Sequence, residues 1–162
     1  MYANTISKFK KPIGGGMDRL AYYSKRHDLV FKISKDPFNT EQTEREVELY
    51  HQMTPVEKTV FPVVDVVEYH DEVWICMKKI TPLTKLDPRG DIYAVVDIGR
   101  SEYTVFCRPK QQVIDEICEK TPLSRASVNN FLDFVHKYDI CDIHANNLGC
   151  IGNQLCIIDA GL

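Results

Sequence analysis

Apolar and polar residues alternate through the first half of the chain and fall at helical spacing through much of the second. Residues 7–13 alternate loosely into Gly14-Gly15-Gly16, and 20–23 resume the two-residue period of a strand. A turn at 25–28 leads to Leu29-Val30-Phe31-Lys32-Ile33, rich in β-branched and aromatic residues, which Asp36-Pro37 ends. Residues 40–53 predict a helix: acidic residues crowd its first turns, as the helix dipole favours, and Val47, Tyr50 and Met53 offer an apolar stripe. Pro55 and Pro62 bound the next break. Residues 63–69 and 73–80 predict two strands joined as a hairpin by His70-Asp71-Glu72.

A stretch punctuated by Pro and Gly, 81–90, separates the halves. Residues 91–107 leave two readings open, a hairpin about Gly99-Arg100-Ser101 or a helix ending near Ile98. Residues 111–120 predict a short helix, and 124–138 a longer one with Val128, Phe131, Leu132 and Val135 on a single buried face. A second hairpin is expected from 148–151 and 155–158 around Gly152-Asn153. The order is five strands with one inserted helix, then helices, then a hairpin. This is an α+β chain, with one unit expected over 1–80 and a second over 81–162.

The 162 residues have room for one modest core or for two small lobes. A content of 44% apolar and 27% charged residues is ordinary for a globular protein, and a net charge of −3 argues against nucleic acid or an anionic membrane as the main partner. Lys8-Phe9-Lys10-Lys11 reads as a solvated strand edge. The six cysteines form no Cys-x-x-Cys pair and sit mostly in apolar stretches, so reduced thiols and a soluble, cytoplasmic protein are expected. Cys141, His144 and Cys150 fit no structural zinc spacing. No run approaches the ~20 apolar residues that span a bilayer.

Moving a γ-phosphoryl group requires a triphosphate held still, its charge neutralised by metal and lysine, and an aimed acceptor hydroxyl. Each requirement has a candidate, in a consistent order. Gly14, Gly15 and Gly16 lie between two strands, where backbone N–H groups can approach phosphate oxygens; a plain glycine-rich turn has the same pattern. Lys32 stands mid-strand, and Glu46, in the following helix, is its candidate partner ahead of Glu44 and Glu48. Asp142 precedes Asn147 by five residues, and Asp159-Ala160-Gly161 follows the hairpin. The first aspartate suits a base for the attacking hydroxyl; Asn147 and Asp159 suit Mg²⁺. Asp-x4-Asn alone arises by chance in roughly a third of chains this long, but a following Asp-x-Gly cuts that below ~1%. The constellation carries the weight.

These residues resemble the protein-kinase-like superfamily over nearly the whole chain, and look closest to small phage-encoded serine/threonine protein kinases. Gly14-Gly15-Gly16 is similar to the glycine-rich loop, Ala21 to the small residue over the adenine, and Val30-Phe31-Lys32-Ile33 to the Val-Ala-Ile-Lys strand. Glu46 matches the helix glutamate that pairs with that lysine. Trp74 to Ile80 resembles the fifth strand running into the hinge, with Met77 as gatekeeper. Ile140-Cys141-Asp142 stands where His-Arg-Asp is usual, and Asp159-Ala160-Gly161 where Asp-Phe-Gly is usual. Four positions depart from the pattern. Arg19 takes the third glycine's place, stiffening the loop or lending its guanidinium to phosphate. His144 replaces a lysine and is common in small-molecule phosphotransferases. Cys141 replaces the arginine that reads activation-loop phosphorylation, and Ala160 replaces the switching Phe.

The resemblance implies a minimal bilobal kinase-like fold that uses ATP and Mg²⁺. Asp142, Lys32 and Glu46 would be its catalytic set, and Asn147 and Asp159 its metal ligands. Gly14, Gly15, Gly16, Ala21, Val30, Lys32, Met77 and Ile80 would hold the nucleotide. No Ala-Pro-Glu segment follows Gly161 before Leu162, so the expected acceptor is a Ser or Thr of a folded protein, in the host cytoplasm if the source is a phage. Two other classes stay open: a pseudokinase-like module that sequesters a partner, and, from His144, a small-molecule phosphotransferase.

Overall fold

Strong β-formers at every second position build the sheet of the first unit. The computed structural model, which describes residues 2–16, 18–86, 104–105, 108–140 and 143–160, is α+β and divides into two compact units. The first comprises Met1–Met53 and Pro62–Lys79; the second comprises Thr54–Phe61 and Ile80–Leu162.

In the first unit, β1 (Gly14–Gly15), β2 (Arg19–Ser24), β3 (Leu29–Ser34), β4 (Val63–Tyr69) and β5 (Glu72–Lys78) form one antiparallel sheet in the order β1-β2-β3-β5-β4. The two-residue period sorts its faces. Leu20, Tyr22, Phe31, Ile33 and Cys76 join Trp74 in an apolar cluster on one side. Arg19, Ala21, Val30, Lys32, Ile75 and Met77 occupy the other. The β4–β5 hairpin turns through two residues, His70 and Asp71, both at positive φ (53° and 63°), and Glu72 already pairs with Tyr69.

The strand expected over 7–13 is absent. A helical turn, α1 (Ala3–Ile6), comes first, and Tyr2, Ile6 and Phe9 reach the apolar cluster at near-helical spacing. The Phe9 ring packs 5.3 Å from Phe31 and stacks on Tyr22 at 5.1 Å. Two aromatics and an isoleucine bury more apolar surface across the open face of the sheet than along its edge. Ile13 is left 63% exposed, and the ladder to β2 begins at Gly14.

The helix expected over 40–53 is α2 (Glu41–Gln52), but its buried face differs from the expected stripe. Thr43, Glu46 and Leu49 are buried with Met53, whereas Val47 and Tyr50 are half-buried. Polar residues occupy that face because their partners stand on β3: Thr43 Oγ1 lies 2.9 Å from Ser34 Oγ, and Glu46 meets Lys32.

The second unit is built on α6 (Arg125–Tyr138), after α3 (Glu57–Val60), α4 (Leu83–Leu86) and α5 (Lys110–Lys120). Ser124 caps α6, its hydroxyl accepting from Ser127 N–H, and Asp139 closes it in the left-handed conformation at φ 50°. The expected face of Val128, Phe131, Leu132 and Val135 is buried, together with Ser127, Phe134 and Tyr138. The second hairpin is β9 (Leu148–Ile151) with β10 (Gln154–Ile157), and β6 (Thr81–Pro82) adds to it beside β9. Gly149 is required there, since a Cβ would stand 2.3 Å from Ile80 Cγ2 and 2.5 Å from Thr81 O. Helix α3 is anchored by Glu57, which accepts from Lys137 Nζ at 2.6 Å and Tyr138 Oη at 3.2 Å. A two-stranded pair joins β7 (Thr104–Val105) to β8 (Arg108–Pro109); the alternatives about Gly99 and Ile98 lie outside the described residues.

Among the described residues no helix is long and apolar enough to cross a membrane, and Cys76, Cys118, Cys150 and Cys156 are free thiols. Burial, with Asp65 nearby, pushes the Cys76 thiol up to about 12, so it is a packing group rather than a nucleophile.

Candidate functional site

Lys32 is central on β3 because a strand of Leu-Val-Phe-Lys-Ile-Ser places it on the face opposite Phe31 and Ile33. Its register partners are Ala21 on β2 and Ile75 on β5; two residues earlier, Val30 pairs with Met77. The ammonium therefore sits on the same sheet face as Ala21, Val30 and Met77, three of the positions expected to hold a nucleotide base. Met77 is buried; Ala21 and Val30 are half-buried.

Glu46 comes down onto this face from α2 and is fully buried. Its Oε1 accepts from Lys32 Nζ at 2.8 Å. Glu44 and Glu48, the competing candidates, are both exposed, and Glu44 instead accepts from the Thr40 hydroxyl. A third residue completes the cluster. Arg19 Nη2 donates to Glu46 Oε1 at 3.0 Å, and Nη1 lies 2.7 Å from Oε2, an ion-pair contact rather than an aligned hydrogen bond. Arg19 is 4% exposed and Lys32 5%. The guanidinium expected to stiffen the glycine loop or to reach phosphate is thus turned inward onto Glu46. The alternation Arg19–Ala21–Tyr23 puts Arg19 on one face of β2, and the register of β2 against β3 makes that the face of Lys32, which the sequence alone does not show.

Burial dominates the acid–base behaviour of Lys32. Desolvation lowers it from the ordinary lysine value to about 8; Glu46 opposes that shift, and the neighbouring Arg19 charge reinforces it.

The glycine loop divides by cause. A Cβ on Gly15 would stand 2.5 Å from Arg19 O, so the chain itself demands glycine there. Gly14 and Gly16 meet nothing within 4 Å and neither has positive φ, so among the described residues neither packing nor backbone conformation requires them. Lys35 Nζ donates to Gly16 O at 2.7 Å, tying the loop to the segment after β3.

In the second unit, the β9–β10 ladder brings two expected metal ligands near each other. Leu148 pairs with Ile157, and Ile158 N–H donates to Asn147 O at 2.7 Å, so Asn147 and Asp159 flank the open end of one hairpin. His144 precedes the 3₁₀ turn Ala145–Asn147, and its carbonyl accepts from Asn147 N–H at 2.9 Å. Ala160 is buried. Ile80 lies against Gly149 in this unit. Asp142, Cys141 and Gly161 lie outside the described residues; Ile140 and Ile143, on either side of the aspartate, are both buried. No group of three His, Cys, Asp or Glu side chains is placed to hold a metal among the described residues. The Asn147–Asp159 pair offers one amide and one carboxylate, the hard oxygen donors that suit Mg²⁺ with water and phosphate completing its shell.

No family model matches the chain, and no curated protein matches it.

Proposed function

We propose that this chain is a small phosphotransferase of the protein-kinase-like kind, moving the γ-phosphoryl group of ATP to a Ser or Thr of a protein. The observation that carries this reading is the buried Lys32–Glu46 hydrogen bond on the sheet face that also presents Ala21, Val30 and Met77. A buried ion pair is weak as a stabilising device, because desolvation offsets most of its attraction. An ammonium oriented toward phosphate gives it a purpose. Gly14 and Gly16, which none of the described residues requires, add support, since phosphate oxygens approach backbone N–H groups only where no Cβ intervenes.

In this reading the base rests on Ala21, Val30 and Met77, while Lys32 Nζ and the loop N–H groups hold phosphate oxygens. Glu46 orients Lys32. Asn147 and Asp159 would hold Mg²⁺ through their side-chain oxygens, and the ion would supply charge neutralisation for the phosphates. Asp142 accepts the proton of the attacking hydroxyl as its oxygen bonds to the γ-phosphorus and the bond to the bridging oxygen breaks.

The test is thermal stability of the purified protein with and without Mg·ATP, followed by transfer of labelled γ-phosphate in a cell lysate. The expected result is Mg²⁺-dependent stabilisation, lost in Asp159→Ala and Asn147→Ala, and labelled protein bands. A melting temperature indifferent to Mg·ATP would turn the reading toward a partner-sequestering module. Label appearing only on sugars, aminoglycosides or nucleosides would replace the substrate class.

A further inference from the structure

Arg19 has no task in that scheme, yet it is buried with its guanidinium directed at Glu46. Lys32 donates to Oε1, and Arg19 reaches both Oε1 and Oε2 of the same carboxylate. The two cations come from adjacent strands of one face. Arg19 pairs with Ser34, two residues beyond Lys32, and Ala21 pairs with Lys32 itself. Helix α2 is therefore gripped through Glu46 from both β2 and β3. The charged groups that act on Lys32 include Glu46 from α2 and Arg19 from β2, and its register partner on β5 is the apolar Ile75.

A lysine paired alone with a buried glutamate has a conflict built in. Any anion that draws the ammonium away leaves a buried carboxylate behind, and removing one member of such a pair is strongly destabilising. With a guanidinium on both oxygens the carboxylate keeps a partner throughout. We infer that Arg19 is the positioning residue of this site: it anchors Glu46, and with it α2, to the sheet so that Lys32 can pass to an anionic ligand without stranding the glutamate. The inference rests on the reading of Lys32 as a phosphate-binding group. Arg19 acts in the same direction on Lys32 directly, since its charge weakens the hold of the site on the ammonium proton.

The experiment uses the full chain with ¹⁵N-labelled lysine side chains, comparing wild type with Arg19→Gln and Arg19→Lys. In Arg19→Gln the titration midpoint of Lys32 rises by roughly one pH unit as the neighbouring charge is lost. Amides of 43–49 lose hydrogen-exchange protection on the order of tenfold as α2 loosens, and Mg·ATP affinity falls by a similar factor, about the effect of one charge-assisted hydrogen bond. Arg19→Lys returns the midpoint toward the wild-type value but leaves exchange in 43–49 raised, because a single ammonium cannot span both oxygens. An unmoved Lys32 midpoint together with unchanged exchange in Arg19→Gln overturns the inference. If that variant does not fold, Arg19→Lys decides: exchange in 43–49 equal to wild type overturns it. Titration and exchange need no nucleotide. Wild-type protein that ignores Mg·ATP therefore refutes the phosphotransfer reading and its Lys32–phosphate contact, while these two measurements still decide whether Arg19 anchors Glu46.

Discussion

Lys32 and Glu46, fourteen residues apart in sequence, meet at 2.8 Å between β3 and α2, with 5% and 0% of their surfaces exposed. As an isolated pair they would respond alike to truncation. With Arg19 on the same carboxylate, the responses separate. Glu46→Ala leaves two buried cations facing each other and is expected to cost about 3–5 kcal/mol. Lys32→Met leaves Glu46 paired to Arg19 and is expected to fall within about 1 kcal/mol of wild type, since it also relieves a desolvated ammonium. Urea denaturation of both variants measures this; equal losses would show that Arg19 does not share the glutamate in solution.

Alkaline stability follows from the same ammonium. Burial above all holds Lys32 at about 8 in the folded chain, against 10.5 for an unperturbed lysine. Between these values the unfolded chain binds more protons than the folded one, so the Lys32 contribution to stability increases as pH rises from about 8 to 10.5. Chemical denaturation across that window is expected to show a positive slope from this group, absent in Lys32→Met. An identical slope in the variant would assign the effect elsewhere.

Acid stability has a different source, in the second unit. Desolvation works against the Glu57 carboxylate, but hydrogen bonds from Lys137 and from the backbone and side chain of Thr54 outweigh it and hold the group at about 2, below the ordinary 4.5. The folded state binds fewer protons, so this stability is present above 4.5 and is lost as pH falls toward about 2. Lys137 is half exposed, so solvent screens its part of the bond. Glu57→Gln is expected to flatten the stability–pH curve between those values, read by urea midpoints at intervals of half a pH unit or so.

The glycines supply a paired test. Gly149→Ala forces a Cβ against Ile80 and the Thr81 carbonyl and is expected to cost about 1–3 kcal/mol or more, since backbone cannot yield as a side-chain tip can. Gly16→Ala meets open space and is expected to leave the melting temperature within a degree or two. Its effect should appear in Mg·ATP affinity instead. A Gly16→Ala protein that binds Mg·ATP as wild type does would return the loop to the status of a plain turn.

If Asp142 is the base of the proposed reaction, Asp142→Asn keeps the shape and loses the proton acceptor. Turnover of labelled ATP onto protein is expected to fall by a factor on the order of 10²–10⁴, with Mg·ATP affinity retained. Turnover within about twofold of wild type would remove Asp142 from the mechanism.

The alternation and apolar periodicity of the chain located β2, β3, β4 and β5, α2 and α6, and the closing hairpin to within one or two residues at each end; β5, expected over 73–80, runs Glu72–Lys78. These signals are local: a period of two or 3.6 residues is imposed on any segment that buries one side. Candidate chemistry at Lys32, Glu46, Asn147 and Asp159 was legible as spacing, and the tertiary structure then brought the first two into contact and set the last two at one end of a hairpin. Three features were decided only by tertiary structure. Residues 7–13 gave up their alternation because Ile6 and Phe9 found the open apolar face of the sheet. The buried face of α2 runs through Thr43 and Glu46 rather than Val47 and Tyr50, because a polar side chain can be buried where another strand supplies its partner, and hydropathy carries no record of that partner. Arg19 looked like an irregular glycine loop until the register of β2 against β3 set it beside Lys32 under the same helix. Which segments form strands and helices is a property of the local sequence; which face of α2 is buried, and which charge meets which, are properties of the fold.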